Sequence, residues 1–353
     1  MNIHESTRLY EDWLRQQLKG DVIKPDLDRK RVKMKESPFA FLRATYWRWA
    51  ETILDVCPDL AGAAPVLAIG DVHLENYGTW RDVDGRLVWG VNDFDEASRM
   101  PYALDLVRLA ASAVLGSNGN GAPAEEICSA ILEGYGRGLR APHPIVLDRD
   151  HRWLRELVVV SEKQRAKFWE KIAAARQKPV AARYRKALTA AMPQSGLALK
   201  IAPRSAGSGS LGRPRWMGVA DWRGAPIVRE AKALASSAWM RGRGRGTHKI
   251  RVGEIAAGRF RPLDPWFQIN GHITVRRLSP NNRKIEVEDA VEPLLMPDML
   301  GIMGFEVANV HVGATDCRAE ISRDLKRRKS GWLAMNANKA VEAITRDYAD
   351  WRS

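Results

Sequence analysis

The chain has 353 residues, more than one compact core usually accommodates, so two lobes are expected. Hydrophobic residues make up 45% and charged residues 28%, which excludes a disordered chain, and no apolar run reaches the length of a membrane span. The net charge of +14 suits nucleic acid or phosphate-bearing partners, but a solvated basic surface gives the same balance, so charge alone decides little.

The first residues, MNIHESTRLYEDWLRQQ, lack the apolar core of a signal peptide, and a cytoplasmic location is expected. Cys57, Cys128 and Cys317 are too widely spaced to suggest a disulfide framework or a zinc site. Helical spacing of Leu9, Trp13, Leu14 and Leu18 begins the chain, and 39–57 reads as one strong helix after Ser37-Pro38. PVLAIG (65–70) is a short strand ending at Gly70-Asp71. RLVWGVN (86–92) follows the Asp84-Gly85 turn and closes a hairpin over 79–93. Helices over 103–115 and onward to about 190 come next. Three strands at 197–203, 215–221 and 226–234 then enclose the loop AGSGSLGRP, a further pair spans 266–278, and helices resume from Pro293. This organisation divides the chain into a helical segment 1–60, a helical lobe 61–195 carrying the catalytic loop, a strand-rich lobe 196–290, and C-terminal helices 291–353 that pack back on the helical lobe.

Three constellations carry chemistry. In GDVHLEN, Asp71 lies just past a strand end, where it can accept a proton from a hydroxyl or orient it, and the Asn76 oxygen is a hard donor suited to magnesium. His73 fixes the Asp71 loop. In NDFDEA, Asp93 and Asp95 emerge at the next strand end, where a carboxylate facing the buried side needs a cation, and magnesium would supply one. Asp105 is placed to brace the first loop, or to serve as an ordinary acid in a first helical turn. The third constellation is Gly207, Gly209 and Gly212. A dinucleotide fold needs a helix after such glycines and a P-loop needs GK[ST]; a strand follows here, which leaves a hairpin lid over phosphates. Its cationic partner is Lys232 or Arg229. Their opposite strand parity lets only one face the lid, and Lys232 would share its face with Glu230. Glu254 is a candidate to steady that lysine.

These residues, with KMKESPFAFLR (33–43), VNDFDEASRMPYALDLVRLAAS (91–112) and VRRLSPNNRKIE (275–286), resemble the bacterial DUF2252 family, which is itself similar to protein-kinase-like and aminoglycoside-phosphotransferase-like enzymes. The resemblance implies Asp71 as catalytic base, Asn76 and Asp93 as magnesium ligands, the glycine loop as lid for ATP, and Lys232 or Arg229 as phosphate anchor. It also places a lysine where Arg229 stands. Kinases carry the glycine loop and lysine before the catalytic loop. Here they come more than a hundred residues after it, and LGIMGFEVANVHVGA (300–314) resembles the helix that normally leads into a GDxH loop. The fold expected is therefore α+β, two-lobed, kinase-like and circularly permuted, with a mainly helical lobe and a smaller antiparallel-sheet lobe.

The function expected is magnesium-dependent phosphotransfer from ATP to an unassigned small-molecule or protein acceptor, with nucleotidyl transfer open. A nucleotide-binding pseudokinase without transfer is the alternative. A two-metal phosphohydrolase would need more ligands than seven dispersed histidines provide. A nucleic-acid-binding protein would rest on RGRGRGTHKIR (241–251), which has no interleaved aromatics, so no nucleic-acid or membrane partner is expected. Oligomeric state is open.

Overall fold

The computed structural model describes residues 1–119, 121–205, 207–241, 249–288 and 291–353. Residues 242–248, which hold most of the RGRGRG run and His248, lie outside the described residues, as does Ala206 of the glycine loop.

Helices α1 (Ile3–Gln17) and α2 (Lys24–Lys33) start the chain, the first capped by the Asn2 side chain accepting from the Glu5 N–H. The single helix expected over 39–57 is two, α3 (Pro38–Ala44) and α4 (Tyr46–Val56). Thr45 divides them: its φ/ψ of −121°/39° is not helical, and its hydroxyl donates to the Phe41 carbonyl at 2.7 Å. Arg43 and Trp47 lie on the two sides of this break, and both line the cavity described below.

Strand β1 (Pro65–Ala68) leads into GDVHLEN, then β2 (Tyr77–Arg81) and β3 (Leu87–Val91) form the expected hairpin, with Thr79 opposite Trp89. NDFDEA follows, and β4 (Ser98–Pro101), which sequence periodicity missed, returns antiparallel to β1. The two motif loops thus connect adjoining strand ends, the end of β1 lying beside the start of β4 and the start of β2 beside the end of β3. Helices α5 (Tyr102–Gly116) and α6 (Ala124–Arg140) precede β5 (Ile145–Val146), which adds to β3. Then come α7 (Arg152–Leu157), α8 (Glu162–Ala173) and α9 (Ala182–Ala190).

The strands β6 (Lys200–Pro203), β7 (Arg215–Trp222) and β8 (Ala225–Ala233), the short helix α10 (Val252–Ala256), and the strands β9 (Gln268–Asn270) and β10 (Ile273–Leu278) make the strand-rich region. Its sheet is antiparallel throughout, in the order β6-β7-β8-β10-β9. The chain ends in α11 (Val291–Leu295), α12 (Pro297–Gly313), α13 (Arg318–Arg327) and α14 (Trp332–Arg352). Helix α12 packs closely on α6, and α14 packs on α5. Glycine permits the first contact: a Cβ at Gly134 would overlap the Gly301 carbonyl, and one at Gly304 would overlap the Ile131 carbonyl. The fold is α+β with antiparallel sheets, and one continuous apolar core runs from α1 to α14. Among the described residues no helix is long and apolar enough to cross a membrane.

Candidate functional site

GDVHLEN is held by a buried network. The Ile69 and Gly70 N–H groups donate to Asp105 Oδ2 and Oδ1 at 2.7 and 2.9 Å. His311 Nε2 meets Asp105 Oδ2 at 3.0 Å, and its Nδ1 meets the Tyr135 hydroxyl at 2.9 Å. Asp105 therefore braces the loop, and α12 reaches it through His311. Gly70 has φ +86°, and a Cβ there would come 2.8 Å from the Tyr46 hydroxyl and closer still to the Glu96 carbonyl. The turn brings Asp71 to Arg108, a buried side chain of α5. Its Nε and Nη2 both donate to Asp71 Oδ1, at 3.0 and 2.5 Å, and the guanidinium lies over the rings of Tyr46 and Trp49.

Asn76 clasps the two motif loops together. Its Nδ2 donates to the carbonyls of Asp71 (3.0 Å) and Asp93 (2.6 Å), while its Oδ1 accepts from the Asp93 N–H at 3.0 Å. One oxygen lone pair is left for another partner. His73 Nδ1 accepts from the Glu75 N–H at 3.2 Å. Burial, reinforced by Arg43 and Lys284, holds the imidazole pKa well below its usual value, so His73 is neutral at pH 7.

Lys232 reaches down from β8 to Asp93, 3.3 Å from Oδ1 and 3.1 Å from Oδ2, and pairs also with Asp95. For Asp93 burial alone would raise the pKa, but Lys232, Arg215 and Arg276 outweigh it and hold the carboxyl below the usual range. Asp95 is pushed up by burial and by the charge of Asp93. Asp93 is thus the more acidic member of the pair, and with 46% of its side chain exposed it is open to a ligand. Glu230, on the same strand face as Lys232, is buried among Arg204, Arg215 and Arg276.

The glycine loop folds onto these acids. A Cβ at Gly209 would lie 3.1 Å from Asp71 Oδ2, and Arg213 at the end of the loop pairs with Asp95 and Glu96. Helix α2 holds the loop in place. Lys30 Nζ donates to the Gly209 carbonyl at 2.7 Å, Ile23 N–H donates to the Gly212 carbonyl at 3.0 Å, and Gly212 packs on Leu27 where a side chain would clash. A cavity of about 70 Å³ remains, lined by Asp71, His73, Asn76, Asp93, Gly207 and Gly209 among others. A second cavity, of about 460 Å³, flanks the NDFD segment: Asn92 and Phe94 line it, where Asp93 and Asp95 line the first.

Most of the residues expected at the site therefore meet. Three do not. Arg229 is buried on the other face of β8, donating to the Ala191 carbonyl at 3.1 Å, with its guanidinium 4.2 Å from the Trp266 ring centre. Gly212 serves packing against α2 rather than the cavity. Glu254 pairs with Lys249 and Arg251, and Lys232 takes its carboxylates from Asp93 and Asp95. Arg108, Arg43, Lys284 and Lys30 join the site without having been expected there. Arg43, Arg108 and Lys284 do lie in three of the segments that carry the family resemblance. Among the described residues no three His, Cys, Asp or Glu side chains converge as a protein-only metal cage.

Residues 23–195 match the family DUF2252, described as an uncharacterized protein conserved in bacteria. The match supports the resemblance that the motifs carry. It takes in α2, both motif loops, Asp105 and Arg108, and it stops before the glycine loop and Lys232. No curated protein and no solved structure matches the chain.

Proposed function

We propose that this chain is a magnesium-dependent phosphotransferase that uses ATP, built as a circularly permuted kinase-like fold. The observation that supports this best is the meeting of GDVHLEN, NDFDEA and the glycine loop around one cavity, with Lys232 on the acids. Asp93 and Asp95 would hold the magnesium ion. Such an ion takes one or two carboxylates and completes its shell with phosphate oxygens and water, so a site without a three-carboxylate cage fits it. When bound, it would neutralise charge on the phosphate oxygens.

The protein groups divide the remaining work. Asn76 keeps Asp71 and Asp93 at a fixed separation, with one oxygen lone pair to spare. Asp71 has one oxygen committed to Arg108 and the other facing the glycine loop, which suits it to orient an acceptor hydroxyl more than to act as a strong base. Lys232 exchanges its carboxylates for phosphate oxygens as the nucleotide enters. The 460 Å³ cavity has room for a nucleoside, with Phe94, Phe168 and Phe267 as apolar walls and Arg276 toward the acids. The 70 Å³ cavity is far below the roughly 300 Å³ at which small-molecule pockets begin, so the glycine loop lifts from Asp71 to admit a triphosphate.

Transfer is tested with γ-labelled ATP, magnesium and a panel of hydroxyl acceptors. Label should move to an acceptor, and Asp71→Asn should suppress that transfer while nucleotide binding persists. Binding without any turnover across the panel would instead make the chain a nucleotide-binding pseudokinase.

A further inference from the structure

The cavity beside Asp71 holds more hydrogen-bond donors than the protein satisfies. Arg43 Nη1 forms an ion pair with Glu75 Oε2 at 2.7 Å without hydrogen-bond alignment, and the buried Arg43 Nε has no partner among the described residues. The same is true of Ser208 Oγ and Trp47 Nε1. Lys284 is a fourth donor: its ammonium lies 3.9 Å from Glu75 Oε2, beyond hydrogen-bond distance. All four side chains line one cavity. They come from distant parts of the chain. Arg43 and Trp47 flank the Thr45 break, and Ser208 belongs to the glycine loop. Lys284 is placed by its neighbour Arg283, whose backbone N–H and carbonyl bond Thr79 of β2 at 2.8 and 2.9 Å.

Unpaired buried donors are costly, and fold stability gives no reason to gather them. The acids around the cavity each have an ion-pair partner, Asp71 in Arg108, Asp93 and Asp95 in Lys232, Glu96 in Arg213 and Glu75 in Arg43, although Glu75 Oε2 accepts no hydrogen bond among the described residues. Lys284 has a loose 3.9 Å ion pair with Glu75, and the donors left over are an N–H of a guanidinium, a hydroxyl and an indole N–H. An anion would satisfy them. The cavity admits only a small one, and donors of such different geometry suit oxygens that point in several directions.

We propose that Arg43, Lys284, Ser208 and Trp47 form a subsite for a tetrahedral phosphoryl group, set between Asp71 and the closed glycine loop. Its identification with the group in transit rests on the phosphotransferase reading; its existence as an anion site does not. It also gives Arg43 and Lys284 a task.

Isothermal titration of the full chain with orthophosphate, and separately with Mg-ATP, tests this. Wild-type protein should bind orthophosphate. Lys284→Met should weaken that binding about ten-fold or more, Ser208→Ala by a smaller factor, and Lys284→Arg should retain most of it. Circular dichroism and the melting of the unliganded variants show that each is folded. No orthophosphate binding by wild-type protein overturns the proposal, as does binding that is indifferent to Lys284→Met and Ser208→Ala. Orthophosphate binding with these dependences but no Mg-ATP binding leaves the subsite standing and removes the nucleotide reading. Equal Mg-ATP affinity in wild-type and Lys284→Met proteins, with orthophosphate binding lost in the variant, keeps the subsite and separates it from the phosphates of the bound nucleotide. Competition between the two ligands assigns the phosphoryl group to the nucleotide, and simultaneous binding assigns it to a phosphorylated product.

Discussion

Lys232 Nζ lies 3.1 Å from Asp93 Oδ2, joining β8 to a segment 139 residues earlier in the chain. Arg229, three positions before it, is turned to the opposite face of the strand. The two cations therefore separate in their effects. Lys232→Met should cost about 1–3 kcal/mol, less than a fully buried pair because Asp93 is partly exposed, and should abolish Mg-ATP binding. Arg229→Met should cost a similar amount through its lost packing on Trp266 and lost bond to Ala191, and should change Mg-ATP affinity by no more than about two-fold. Denaturant unfolding and calorimetric titration of both variants check this.

Asp105 is the centre of the buried brace. Asp105→Ala would leave the Ile69 and Gly70 N–H groups and His311 without their acceptor. A loss of about 3 kcal/mol or more is expected, read from the denaturant midpoint. His311→Ala, which leaves both backbone bonds in place, should cost less than Asp105→Ala.

Two lysines, Lys30 buried and Lys284 half-buried, set a pH dependence. Burial, with Arg213 adding to it, lowers the pKa of Lys30 from 10.5 to about 7. Burial, with Arg43 adding to it, lowers that of Lys284 from 10.5 to about 8. Below pH 7 both are protonated folded and unfolded, and the full penalty of the buried ammonium applies. As pH rises from about 7 toward 10.5 the folded chain sheds protons that the unfolded chain still holds, so these two groups make stability rise with pH. Lys30→Met should remove the rise between about pH 7 and 8 and lessen it above, and Lys284→Met should lessen it only above about pH 8, in unfolding free energies measured across the range.

What the sequence made legible is local. The acids of GDVHLEN and NDFDEA lie at strand ends that periodicity and turn signals locate, and strand parity alone says that Lys232 and Arg229 cannot both face the lid. Glu230 shares the face of Lys232 for the same reason. What stayed hidden depends on contacts far apart in the chain: Arg108 with Asp71, His311 with Asp105, and Lys30 of the first helices with Gly209. None of these follows from spacing, because each is decided by how helices pack on the motif loops. The division at Thr45 was hidden for a different reason. The apolar pattern continues across it, and the hydroxyl bond to Phe41 competes with a helix in a way that hydrophobic periodicity does not register. Helix α2 as the restraint on the glycine loop was equally out of reach, since a Gly/Ser-rich run reads as free until its partners are known.

The most direct test of the proposed site is the melting temperature of the wild-type and Asp93→Asn proteins with and without Mg-ATP. Saturating ligand should stabilise the wild-type chain by about 2.7 kcal/mol at a hundred times its dissociation constant, with a corresponding rise in melting temperature, and Asp93→Asn should show no rise because its metal-holding carboxylate is gone. Absence of any shift in the wild-type protein with magnesium or manganese, or an equal shift in both proteins, would contradict a magnesium-nucleotide site at Asp93.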